Sequence, residues 1–151
     1  MLVRNRRTVS RAAAIALAAA LSVGSLAPPA GALNRLESRL FKRVNIARQN
    51  HGIRALKLNP WLSRKAHGHS LRMARRGTVY HTRCLSCLFR ARRYDQIGEN
   101  VGLADTIRRV HRVMMRSSGH RSNILRRGYH SIGVGVKKTR RGVWVTEIFW
   151  D

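Results

Sequence analysis

An α+β domain, helical through its first half and closed by a β-hairpin, is what the sequence predicts. Three observations carry that expectation. Apolar residues recur every three or four positions through the first half. Asn-Pro and Gly stand where those stripes open and close. The C-terminal segment then changes period to an alternation rich in β-branched and aromatic side chains.

Leu36, Leu40, Val44 and Ala47 predict an amphipathic helix over about 34–50, with Gly52 as its stop. Leu58 to Gly77 reads as a second helix, opened by Asn59-Pro60, with Leu62, Ala66, His69 and Met73 on one stripe. Asp105 or Thr106 can cap a third, whose apolar face carries Ile107, Val110, Val113 and Met114. "HSIGVGV" and "GVWVTEIFW", joined by a Lys/Thr/Arg/Gly turn, predict an antiparallel hairpin. No internal repeat or low-complexity linker follows residue 32.

The first 32 residues read as an export signal. Arg4, Arg6, Arg7 and Arg11 form a basic start, "AAAIALAAALSVGSLA" an apolar run too short for a membrane span, and Ala30-Gly31-Ala32 a small-x-small cleavage site. Arg6-Arg7 also suits the twin-arginine route. Cleavage after Ala32 leaves 119 residues, the size of one domain, with 27 Lys plus Arg against six acids, a formal charge of +21. A secreted or envelope-associated protein is therefore expected, a monomer without a further span. Its partners should be anionic: a phosphate-rich wall polymer or a lipid surface. The aromatic residues, 6% of the chain, do not interleave with arginine as base-stacking platforms do, which argues against specific nucleic-acid binding.

In so basic a chain, "IGENV" places Glu99 between apolar neighbours, where a buried carboxylate needs a partner. The strings around it follow an order. "VNIARQNHGIRALKLNPWL", "KAHGHSLRM", "YHT", "GENV", "SSGHRSNIL", "IGVGV" and "WVTEIF" together resemble the secreted CAP (SCP) superfamily in its short bacterial form, from about Leu36 to Trp150. The resemblance implies an α-β-α sandwich with a central antiparallel sheet, and a cleft formed by His81 of "YHT", Glu99 of "GEN" and His120 of "SGHR". It brings Asn100, Ser117, Arg121 and Asn123 to the cleft as neighbours. The chain departs from the family pattern at Ser117, where many members carry a second Glu, at Met114 for Trp, and at Ser118 for Pro.

Two imidazoles and a carboxylate are also the donors of a zinc site with an open position, so His81, Glu99 and His120 are candidate metal ligands and zinc the cofactor they imply. Equally, Glu99 can be a structural acceptor of backbone amides and an imidazole. His69, on the apolar stripe of the second helix, is expected to be a core residue, and His51, His111 and His130 to lie at the surface. Cys84 and Cys87, the only cysteines, are expected to pair in an exported protein. A redox CxxC pair and an H-x-x-C-x-x-C zinc site (His81, Cys84, Cys87) are the competing readings. Neither an H-E-x-x-H metalloprotease motif nor a P-loop is present. The reading that results is a secreted binding module with a His/Glu cleft. A zinc-assisted hydrolase using the same residues is the alternative, and charge-driven polyanion binding the lesser one.

Overall fold

In the computed structural model, which describes residues 33–89 and 95–151, the first apolar stripe becomes helix α1, Arg35–Asn50. The export signal read over 1–32 lies outside the described residues. Asn34 caps α1 by accepting from the amides of Leu36 and Glu37, while the Glu37 carboxylate takes the Asn34 amide in return. Gly52, at φ +64°, follows the helix in the left-handed region that glycine adopts without strain.

The second helix, α2, runs Pro60–Arg76, with Asn59 as its cap and Gly77 closing it at φ +70°. Leu58 is not part of it. With Lys57 it forms a two-residue strand, β1, because the proline after Asn59 fixes where the helix can begin. The strand β2 (Ile97–Ala104) contains "GENV", and α3 (Ile107–Arg116) and α4 (Ser118–Leu125) follow it. The expected hairpin is present as β3 (Ser131–Thr139) and β4 (Gly142–Trp150).

The sheet order is β1-β3-β4-β2. β2, β4 and β3 are antiparallel, and β1 adds a short parallel edge through Leu58 opposite Ile132, so the sheet is mixed rather than purely antiparallel. α2 covers one face. The helices α1, α3 and α4 cover the other, over a core that includes Leu40, Val44, Met114, Val134, Val145 and Phe149. The α-β-α sandwich is thus the architecture observed. The glycines of "IGVGV" explain how α2 sits so low: a Cβ on Gly133 would overlap the backbone of Leu62, and one on Gly135 the backbone of Ala66 and His67.

Two expectations about α3 are corrected. Its buried stripe is Ile107, Val110, His111 and Met114, and Val113 is 55% exposed. At 100° per residue His111 falls about 40° from Ile107, inside the stripe, whereas Val113 falls about 120° from it, beyond the stripe's edge. His111 is therefore buried rather than at the surface. Burial, with Arg43 nearby, pushes its imidazole down to about 4.

Candidate functional site

Side chains alternate along β2, so Glu99 faces the α2 layer and Asn100 the opposite one. β2 is an edge strand, and chain approaches it from both layers. From the α2 side comes the segment after that helix. His81 Nδ1 meets Glu99 Oε2 at 2.9 Å, the Thr82 amide donates to the same oxygen at 2.8 Å, and the Thr82 hydroxyl donates to Oε1. His69 of α2 lies 3.8 Å from Glu99 Oε1, with Thr146 Oγ1 at 3.3 Å from its Nδ1. Glu99 is 7% exposed, so its carboxylate is held by hydrogen bonds and not by water.

From the other layer comes α4. Asn100 donates to the His120 carbonyl (3.1 Å) and to Glu147 Oε2 (3.0 Å), and Asn123 donates to the Glu99 carbonyl (3.2 Å) and Asn100 Oδ1 (3.0 Å). These bonds stitch α4 to the strand. Ser117 hydrogen-bonds His120 Nδ1 through its hydroxyl at 3.0 Å. Burial lowers the pKa of His120, and His81 lowers it further. Arg121 turns away from this network, its guanidinium 3.3 Å from His51 Nε2.

Beside His81 opens a cleft of about 630 Å³ lined by His69, Arg72, Arg76, Tyr80, Thr82 and Arg83 among others. The His81 side chain is 62% exposed there, so its ring is anchored at one nitrogen by Glu99 and open at the rest. Arg76 lies over the Tyr80 ring at 5.1 Å, and Tyr80 packs edge-on against His69. His69 Nε2 and the Tyr80 hydroxyl are both buried without a hydrogen-bond partner among the described residues. Desolvation lowers the His69 pKa, with Arg72 and His81 adding to it against the opposing pull of Glu99. The cleft is cationic, and its buried His69 favours the neutral form.

Glu99 spends both oxygens on Thr82 and His81, so it acts here as the acceptor that orients the His81 ring through one nitrogen and leaves the other open. Among the described residues no group of three or more His, Cys, Asp or Glu side chains is placed to hold a metal ion. Cys84 and Cys87 form a disulfide, so neither sulfur is a free thiolate for zinc.

Three residues with structural consequences for the site carried no signal of their own in the sequence. Arg48 is fully buried and donates to the carbonyls of Arg54, Ile124, Arg126 and Tyr129, clasping the end of α4 to α1. Glu37 accepts from the Val136 amide and pairs with His67 at 2.7 Å. Glu147, wholly buried, supports Asn100 from below. Their burial depends on partners distant in sequence.

The model of the cysteine-rich secretory protein (CAP) family matches residues 41–149. No curated protein matches the sequence. Among solved structures, a cysteine-rich secretory protein from Staphylococcus aureus is 25% identical with a TM-score of 0.61, covering 76% of this chain and 38% of that one. An outer surface protein from Borrelia burgdorferi (15% identity, TM-score 0.67) covers 76% of this chain and 90% of its own. Venom allergen-like protein 4 from Schistosoma mansoni (15%, TM-score 0.64) covers 79% and 91%. The last two likenesses are of fold alone, and the chain spans well under half of the Staphylococcus protein. Among the described residues no helix is long and apolar enough to cross a membrane.

Proposed function

The chain belongs to the cysteine-rich secretory protein (CAP) family, and from that premise we propose an exported, envelope-associated binding module whose cleft beside His81 takes an anionic group. The export signal read over 1–32 and the secreted character named for its S. aureus relative support the location. One observation carries the ligand class. Arg72, Arg76 and Arg83 line the same cleft as His81, and none of the three is in an ion pair among the described residues. Glu99 directs its oxygens to Thr82 and His81 and makes no ion pair with any of the three. Three uncompensated guanidinium groups around a half-enclosed cleft favour a phosphate or carboxylate, which arginine binds through paired N–H groups.

The zinc-hydrolase alternative requires Glu99 as ligand or base, and its hydrogen bonds to Thr82 and His81 do not support that role. The test is calorimetric titration with anionic and neutral wall-derived fragments. Binding of the anionic fragments should weaken at least tenfold in His81→Ala and in Arg72→Gln/Arg83→Gln. Roughly 0.5 M salt should release them, since screening at that strength leaves little long-range attraction. Equal binding of neutral fragments, or binding indifferent to both variants, would overturn the reading.

A further inference from the structure

The cleft accounts for only three of the exposed cations, and a second concavity lies at the other end of the sheet. It is a groove of about 680 Å³ between α1, the start of α3 and the turn end of the β3–β4 hairpin. Arg39, Lys42, Arg43, Arg108 and Lys138 line it, and none of them pairs with a carboxylate among the described residues. Its floor is apolar, made by Leu36, Ile107 and Val143 with half-exposed Ile46 at the side. One acid, Asp105, stands at the rim, 3.8 Å from Arg109, which is not among the five. Val143 and Ile148 are five residues apart on β4, and Ile148 is the partner of Glu99. The groove therefore lies about 17 Å along the strand from the cleft.

We propose that this groove is a second binding surface, separate from the His81 cleft, that receives a single flexible phosphodiester chain of the polyol-phosphate type. The cations are arranged for a linear partner. Arg39, Lys42 and Arg43 fall on one face of α1 at i, i+3 and i+4, Arg108 faces them from α3, and Lys138 stands at the hairpin end. Charges repeated along a groove match charges repeated along a polymer. A concave surface admits one strand and excludes a planar bilayer or a rigid duplex. No aromatic side chain lines the groove, so stacking of bases, the main non-ionic contact available to single-stranded nucleic acid, has no platform there. The apolar floor suits the carbon backbone between phosphates. The positive field is also felt beneath the surface, where Arg43 helps hold the buried His111 imidazole neutral.

The experiment is fluorescence-anisotropy titration of labelled poly(glycerol phosphate), with an oligo-dT and phosphatidylglycerol vesicles as comparison probes, over a range of salt. Five neutralised phosphates predict a log–log salt slope of about −3.5, by the single-strand value of about −0.7 per contact. Arg39→Gln/Arg108→Gln should reduce the slope to about −2 and weaken binding at least tenfold. Lys65→Gln/Arg75→Gln, which removes the same charge from the outer face of α2, should change it less than twofold. Thermal melts verify that both variants fold. Equal loss in the two variants would overturn the proposal by showing diffuse attraction. Oligo-dT or vesicles bound as tightly as poly(glycerol phosphate) would overturn the choice of partner. The fold-loss caused by Arg39→Gln/Arg108→Gln should be the same in the parent and in a His81→Ala background, so the cleft can fail while the groove stands, and the reverse.

Discussion

Replacing Glu147 by glutamine should make the protein more stable at pH 8 and flatten its pH dependence between about 4.5 and 7. Glu147 is wholly buried in β4, accepts one hydrogen bond from Asn100, and leaves Oε1 without a partner among the described residues. Burial pushes its carboxyl from 4.5 up to about 7, against the smaller opposing effect of the Asn100 bond. The unfolded chain releases this proton near 4.5 and the folded one near 7, so within that window the folded state holds the extra proton. Stability is then full below 4.5 and is lost as pH rises through 7. A difference of some 2.5 pH units at about 1.4 kcal/mol each gives a cost of about 3 kcal/mol at pH 8. Glutamine is neutral throughout, and its oxygen can keep the Asn100 bond. At 3–4 °C per kcal/mol for a domain of this size, Glu147→Gln should melt about 10 °C higher than the parent at pH 8 and at nearly the same temperature at pH 4.5. Thermal melts of both proteins from pH 4.5 to 8 are the assay. His69, His111 and His120 titrate in both proteins, so the difference curve isolates Glu147. A flat difference curve, or a variant less stable at pH 8, would refute the reasoning.

Three other outcomes are expected. Glu99→Ala should cost about 3 kcal/mol in urea unfolding, because it leaves the Thr82 amide and the His81 ring without their acceptor. Glu99→Gln should cost only about 1–2, and added zinc should shift the melting temperature of neither variant nor parent. Gly135→Ala should destabilise by about 3 kcal/mol, the upper end for overpacking, since its methyl meets α2 backbone rather than a yielding side chain; a melt within 1 °C of the parent would refute that account. Replacing both cysteines by serine should cost less than about 2 kcal/mol, because the ring they close is so short, yet weaken anionic binding in the cleft by loosening the segment that carries Arg83. Intact-mass measurement with and without reductant verifies the pairing before the comparison is made.

The parts legible in the sequence are those whose signal is local. The stripe Leu62, Ala66, His69, Met73 repeats with the helical period and is buried as expected, and the alternation of the hairpin appears as β3 and β4. β2 was not legible as a strand. Gly98, Glu99 and Asn100 break its apolar alternation, and its pairing partner β4 lies more than forty residues later. α4 escaped notice for a related reason. Its eight residues bury only Ile124, and it is held instead by Asn100, Asn123 and the distant Arg48. Spacing alone gave no hint that His81 meets Glu99; that expectation came from the resemblance of "YHT" and "GEN" to a family. Ser117 read as a missing acid, and the structure gives it a use of its own on His120.

All three glutamates, Glu37, Glu99 and Glu147, are buried, which leaves Asp95, Asp105 and Asp151 as the only acids near water. The outer shell is therefore more lopsided than the net charge conveys, and the folded domain behaves as a compact multivalent cation. Mixed with a long polyanion, each molecule can bridge more than one chain. The mixture should turn turbid where opposite charges balance, and clear again when either component is in excess or salt is added. On any anionic matrix the same behaviour would concentrate the domain into a dense layer, fixing its abundance there by the supply of negative charge rather than by the affinity of any single site.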